Sequence, residues 1–237
     1  MKKLALLFTL WLCVGFSALA AQPPTYPQVE FQTNMGSIII ELYPDRAPKT
    51  VENFLQYVGN NHYEGTIFHR VLDNFIIQGG GLTADLEAKP TLPPVEIESN
   101  NGLRNEVGAV AMARSLQPDS ATSQFFIDLD DNKLLNYYRP EPSLMGYTVF
   151  GKVVRGMDIA RKIGGVPTAK VGGLDDVPQE PIVIQRVVLL ETPVIAEGPY
   201  KPLAPVAIAS AKNKTTKTAA TKTASTKTST TKTKVKK

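Results

Sequence analysis

Between residues 28 and 192 apolar positions come in short runs broken by turn residues, and only twice at the spacing of a helix. Val29 to Thr33 alternates, "NMG" interrupts, and "SIIIELY" resumes, a pattern that predicts a hairpin. "APKTVENFLQYVG" follows. Pro48 suits a first helical turn, Val51, Phe54, Leu55 and Val58 share one face, and Gly59 suits the end, so an amphipathic helix is predicted. From residue 66 the runs "TIFHRVL", "NFIIQ", "VGAVAMA", "SQFFIDL", "TVFGKVV" and "IVIQRVVLL" read as strands, and "NNG" at 100–102 reads as a turn. A second short helix is predicted over Met157 to Ile163, closed by Gly164 and Gly165. Many strands and two helices that do not alternate with them point to a mainly β domain, a closed antiparallel sheet spanning 28–192, and away from a doubly wound fold.

The ends of the chain differ from this body. Met1 to Lys3 precede the apolar run "LALLFTLWLCVGF" and then "SALAA", whose Ala18 and Ala20 suit a signal peptidase. Residues 1–20 therefore read as a cleaved secretory signal, and the run is shorter than the roughly 20 residues a spanning helix needs. The only cysteine, Cys13, lies in that signal, so the mature chain is expected to hold no disulfide and no thiol nucleophile. Residues 193–211 form a Pro-rich linker, and 212–237 are almost entirely Lys, Thr, Ala and Ser, too poor in apolar surface to offset their ordering entropy. The tail is expected to be disordered.

The formal net charge of +4 averages over unlike parts. Setting aside Lys2, Lys3 and the ten lysines beyond Glu197 leaves 14 basic against 22 acidic residues in 21–197. An acidic body argues against nucleic acid as the partner of the folded domain, while the basic tail is suited to anionic envelope surfaces.

The stretch "FHRVLDNFIIQGGG", residues 68–81, carries the chemistry. By strand alternation Phe68, Arg70 and Leu72 project to one side, which sets a guanidinium on an otherwise apolar face. Buried unpaired it would be very costly, so Arg70 is salt-bridged, exposed at a sheet edge or aimed into a cleft. His69 and His62 need no proton-transfer role, and seven residues apart with no cysteine nearby they do not suggest zinc. No metal or cofactor is expected. "QGGG" and "VGGL" read as loop glycines, and Asp130 with Asp131 and Asp175 with Asp176 as solvated turns.

"FHRV" with "FIIQGG", "NGLRNEVGAVAMAR", "DSATSQFFI" and "YTVFGKVVRGMDI" together resemble the cyclophilins, peptidyl-prolyl cis-trans isomerases, and in particular their bacterial periplasmic branch. The resemblance implies an eight-stranded antiparallel β-barrel capped by two helices, with the active groove on its outer face. It also implies roles. Arg70 faces the groove, Gln78 helps hold it and contacts substrate backbone, and Phe75, Ile76, Met112, Phe126 and Leu135 wall the proline pocket. Ala113, Arg114 and Ser115 lie along the neighbouring subsite with Gln124 beside them. Tyr147 stands where many eukaryotic members carry histidine, and Leu134 where they carry tryptophan. The partners implied are proline-containing peptides and unfolded exported proteins, in the periplasm or beyond it, and a monomer is expected; a proline-binding chaperone module that has lost turnover is the rival.

The implied tryptophan donates an indole N–H to cyclosporin in sensitive relatives, and leucine has no donor. Weak cyclosporin inhibition with catalysis retained is the expected result of an inhibition titration, and nanomolar potency would contradict it.

Overall fold

The computed structural model describes residues 26–197. The signal segment, the Lys/Thr-rich tail and the linker beyond residue 197 lie outside the described residues. Ten strands and two α-helices run in the order β1 (Gln28–Thr33), β2 (Gly36–Leu42), α1 (Pro48–Gly59), β3 (Thr66–Leu72), β4 (Ile76–Thr83), β5 (Ala109–Met112) and β6 (Phe125–Asp128). Then come β7 (Val149–Arg155), α2 (Met157–Gly164), β8 (Thr168–Val171), β9 (Leu174–Pro178) and β10 (Ile184–Leu189).

Eight strands form one antiparallel sheet in the order β10-β1-β2-β7-β5-β6-β4-β3. Its two edges approach each other through an Ile67–Val183 bridge and through Phe68 N–H and Gly65 N–H, which donate to Ile182 O and Ile184 O at 3.0 and 2.8 Å. The sheet is thus a nearly closed barrel, as its many short apolar runs predict. β8 and β9 form a separate hairpin that turns at Gly172 and Gly173. Reading that "VGGL" as a plain loop missed a hairpin whose paired glycines at left-handed φ are its signal.

Helix α1 lays Val51, Phe54, Tyr57 and Val58 against the barrel interior. Phe54 stacks within 5.0 Å of Phe150 and 5.3 Å of Tyr63, and Phe31 lies 5.1 Å from Phe125. No side chain of its own sequence caps the helix. The Glu98 carboxylate does so from a distant loop, accepting from Thr50 N–H at 2.9 Å and Thr50 Oγ1 at 2.7 Å, where a negative charge also meets the positive end of the helix dipole.

The alternation expected along β3 does not hold. Phe68 opposes Gly79 and Arg70 opposes Gln78, so β3 spends two residues where β4 spends one, and His69 is the extra residue of a bulge. Phe68 and Val71 consequently both enter the interior cluster, while Leu72 packs on the outer face. Arg70 does not share the face of Phe68.

The glycine triplet lies inside β4, not in a loop. Gly80 has φ +84°, and a Cβ there would stand 2.8 Å from the Phe125 ring and 2.9 Å from Tyr63. Ring contact with the backbone requires a residue without a side chain. Gly80→Ala is expected to destabilise the domain by about 3 kcal/mol, combining left-handed strain with overpacking, read as a shifted urea midpoint at unchanged slope.

Candidate active site

Successive residues of β4 to β7 face opposite sides of the barrel wall. Ile77, Val110, Phe125 and Phe150 point to the core, and Ile76, Ala111, Phe126 and Val149 form a second apolar cluster outside it. Onto this outer cluster pack Leu72, Phe75, Leu103, Ala113, Leu135 and Tyr147. They enclose a cavity of about 320 Å³ lined by Arg70, Phe75, Ile76, Gln78, Ala113, Arg114, Phe126, Leu135 and Tyr147. Phe126 forms its floor and meets Tyr147 edge to face at 5.3 Å.

Three polar side chains set the rim. The Arg70 guanidinium is 41% exposed, and its Nε stands 3.9 Å from Asp176 Oδ2 on the β8–β9 hairpin. Gln78 Nε2 donates to Gln124 Oε1 at 3.0 Å. Arg114 Nε donates to Gly146 O at 2.7 Å and its terminal nitrogens donate to Ser115 O and Pro142 O, while its guanidinium carbon lies 5.1 Å from the centre of the Tyr147 ring. One arginine thus faces the cavity with a single distant ionic partner, and the other is saturated with carbonyls. Their chemistry differs accordingly: Arg70 retains free N–H donors beside the apolar floor, and Arg114 pins the loop that precedes β7.

The remaining candidates lie elsewhere. Met112 is buried in the interior cluster with Val110, on the core side of β5. Ser115 is exposed and bonded to Ser120, and Leu134 is 89% exposed outside the cavity. Gln124 touches the site through Gln78. His69 is buried, and burial followed by the nearby Arg70 charge pushes its pKa below the ordinary histidine value. Burial and Lys89 push His62 the same way. Asp176, read from the sequence as a solvated turn, is the residue the sequence did not signal. It reaches Arg70 only because the β8–β9 hairpin folds back beside β3.

The family model for cyclophilin-type peptidyl-prolyl cis-trans isomerases matches residues 28–189. The chain is 51% identical over 162 residues to the peptidyl-prolyl cis-trans isomerase cyp18 of Streptomyces antibioticus, covering 68% of this chain and 98% of that one. It is 47% identical over 163 residues to peptidyl-prolyl cis-trans isomerase B of Escherichia coli strain K12, covering 69% and 99%. A crystal structure of a Cryptosporidium parvum cyclophilin in the presence of the dipeptide Ala-Pro superposes with a TM-score of 0.55 at 28% identity, covering 70% of this chain and 99% of that one. The chain is a cyclophilin.

In this cyclophilin the wall formed by Phe75 and Leu135 hangs on a small buried polar network. Asn132 Nδ2 donates to Phe75 O at 2.9 Å and to Asp128 Oδ1 at 2.6 Å, and its carbonyl accepts from Leu135 N–H at 2.9 Å. Asp128 is fully buried and its Oδ2 has no hydrogen-bond partner. Burial, with a smaller push from Asp131, raises its pKa from 3.8 to about 8, against the opposing hydrogen bond from Asn132. The folded state therefore holds a neutral carboxyl at pH 7. Because the folded pKa lies above the unfolded one, this group adds no ionisation cost below about pH 4, and stability is lost as pH rises from about 4 to about 8. Its contribution falls by about 1.4 kcal/mol per pH unit in that window. Asp128→Asn is expected to remove this slope, so that the stability gap between variant and wild type in urea melts widens from pH 4 to pH 8. A gap that does not change with pH would show that Asp128 is ionised in the fold.

Proposed function

We propose that residues 28–192 catalyse rotation about Xaa-Pro peptide bonds in exported polypeptides, with Arg70 as the polarising residue. One observation supports this above others: a half-exposed guanidinium with free donors rims an apolar cavity floored by Phe126 and walled by Phe75, Ile76 and Leu135. An amide resists rotation by about 18–20 kcal/mol because nitrogen donates its lone pair into the carbonyl. A donor offered to the prolyl nitrogen draws that pair out of resonance and favours the twisted amide over either planar form. The proline ring fills the cavity, Gln78 with Gln124 meets substrate backbone, and Ala113 with Arg114 and Tyr147 borders the preceding residue. The step breaks no covalent bond and moves no proton.

The magnitudes assign work beyond the arginine. Raising a rate from about 0.01–0.1 to about 1,000 per second takes about 5.5–7 kcal/mol, and one charge-assisted hydrogen bond supplies about 1.5–3. The remainder falls to the dry pocket and to holding both flanks of the proline. Cleavage of a signal after Ala20 would deliver the domain to the periplasm as a monomer, where clients are unfolded exported proteins and the Lys/Thr-rich tail contacts anionic envelope surfaces.

Exchange NMR on an Ala-Pro peptide tests the reading. Wild type is expected to accelerate cis/trans exchange, and Arg70→Ala to lower kcat/KM by about tenfold to a hundredfold with an unchanged melting curve. Wild-type binding without acceleration would instead identify a proline-binding module.

A further inference from the structure

Beside the prolyl cavity lies a second cleft, of about 430 Å³, lined by Ser99, Asn100, Gly102, Leu103, Arg104, Lys133, Asn136, Tyr137 and Tyr138. Its two walls are the loop before β5 and the loop after β6, and Asn105 ties them together at the base. Asn105 Nδ2 donates to Leu135 O at 2.9 Å, and Asn105 N–H donates to Asn136 Oδ1 at 2.7 Å. The first wall is further held by Asn101, whose Nδ2 donates to Val149 O at 2.8 Å and whose Oδ1 accepts from Leu103 N–H at 3.0 Å. The cleft is therefore built in advance of any ligand.

Its lining is cationic. Two cations, Arg104 and Lys133, face it, and neither makes a salt bridge or side-chain hydrogen bond among the described residues. No carboxylate lines it, on a body whose acidic residues outnumber its basic ones 22 to 14. Ser99 is 4% exposed, and its buried hydroxyl has no hydrogen-bond partner. Ser99 borders the cleft, so its orphan donor lies behind two free cations that together attract an anionic oxygen.

The position indicates where that anion comes from. One turn of 3₁₀ helix, Lys133–Leu135, divides the two cavities: Leu135 lines the prolyl site, while Lys133 and the following Asn136 line the cleft. Leu103 likewise packs on the outer cluster of the prolyl site and lines the cleft. A polypeptide whose proline occupies the first cavity can pass directly over the second.

We propose that this cleft is a specificity subsite for an acidic side chain of the substrate, an Asp or Glu flanking the isomerised proline, held by Arg104, Lys133 and the Ser99 hydroxyl. The proposal rests on the prolyl site described above and adds to it a preference that an otherwise acidic surface would oppose.

The test uses the mature protein and Ala-Pro peptides in which one glutamate is moved residue by residue along either flank, each paired with a glutamine control. At one register the glutamate peptide is expected to show a KM about fivefold below its control with kcat unchanged, a difference that shrinks at high salt. Arg104→Gln with Lys133→Gln should abolish that difference. Turnover of a neutral peptide by the double variant should match wild type, which also shows that the variant is folded. A neutral peptide that wild type fails to turn over refutes the isomerase reading itself. Neutral turnover without a glutamate preference, or a preference that survives in the double variant, refutes the subsite alone. Inorganic phosphate or phosphatidylglycerol vesicles bound through Arg104 and Lys133, with no glutamate preference, would assign the cleft to a different anion and overturn the proposal.

Discussion

The side of the barrel wall on which Arg70 emerges depends on a single residue of register. β3 uses Phe68, His69 and Arg70 to match Gly79 and Gln78 of β4, and that extra residue turns Arg70 away from the face Phe68 occupies. Regular alternation would have placed both in the interior, beside Phe31 and Phe125, where a guanidinium finds no partner and its desolvation is uncompensated. With the bulge, Phe68 completes the core and Arg70 rims the outer cavity. The ionic partner that remains, Asp176, is 39% exposed at 3.9 Å. Water screens such a pair strongly, so it orients the guanidinium without consuming it.

The same wall has two apolar faces. In β6 Phe125 serves the core and Phe126 the cavity floor; in β4 Ile77 and Ile76 divide in the same way, and in β7 Phe150 and Val149. This explains why "FFI" at 125–127 and "FII" at 75–77 read as continuous apolar runs instead of alternating ones, since residues on both sides leave water. The outer face is covered by loops in place of a second sheet, and the cavity is the gap those loops leave. Site and core thus share their strands, and a disturbance of Phe125 also moves Phe126.

Much of this was legible beforehand, and the misses have identifiable causes. The first hairpin, both helices and eight barrel strands follow from periodicity and turn residues, because each element is long enough to show its pattern. All nine cavity-lining residues were among the candidates, through the resemblance carried by "FHRV", "FIIQGG", "NGLRNEVGAVAMAR", "DSATSQFFI" and "YTVFGKVVRGMDI". Met112 shows what the residues themselves could have corrected: alternation from Val110 sends it inward while Ala111 and Ala113 face out. The bulge at His69 left no trace in an unbroken strand-like run. Asp176 was invisible because its contact with Arg70 spans more than a hundred residues of chain. The choice between Leu134 and Leu135 needed the 3₁₀ turn, which exposes the first and buries part of the second.

The energetics shift attention from the arginine to the loops that hold its pocket. If one guanidinium supplies about a fifth to a half of the barrier reduction, the rest depends on walls that stay in place while the amide twists. Ile76 belongs to β4, but three of those walls lie outside the strands. Leu135 ends a 3₁₀ turn while Tyr147 and Phe75 sit on loops, and each is held by a partly buried polar contact: Asn105 to Leu135 O, Arg114 to Gly146 O beside Tyr147, and Asn132 to Phe75 O. Two of these anchors, Asn105 and Asn132, are buried, so breaking either leaves unpaired polar groups away from water. That penalty gives loop positions a rigidity closer to that of the sheet. Asp128 extends the logic, because only a neutral carboxyl can remain beside Asn132 without bringing an uncompensated charge beneath the pocket wall. The protonation of one buried acid is thereby coupled, through Asn132, to the carbonyl that holds the Phe75 wall.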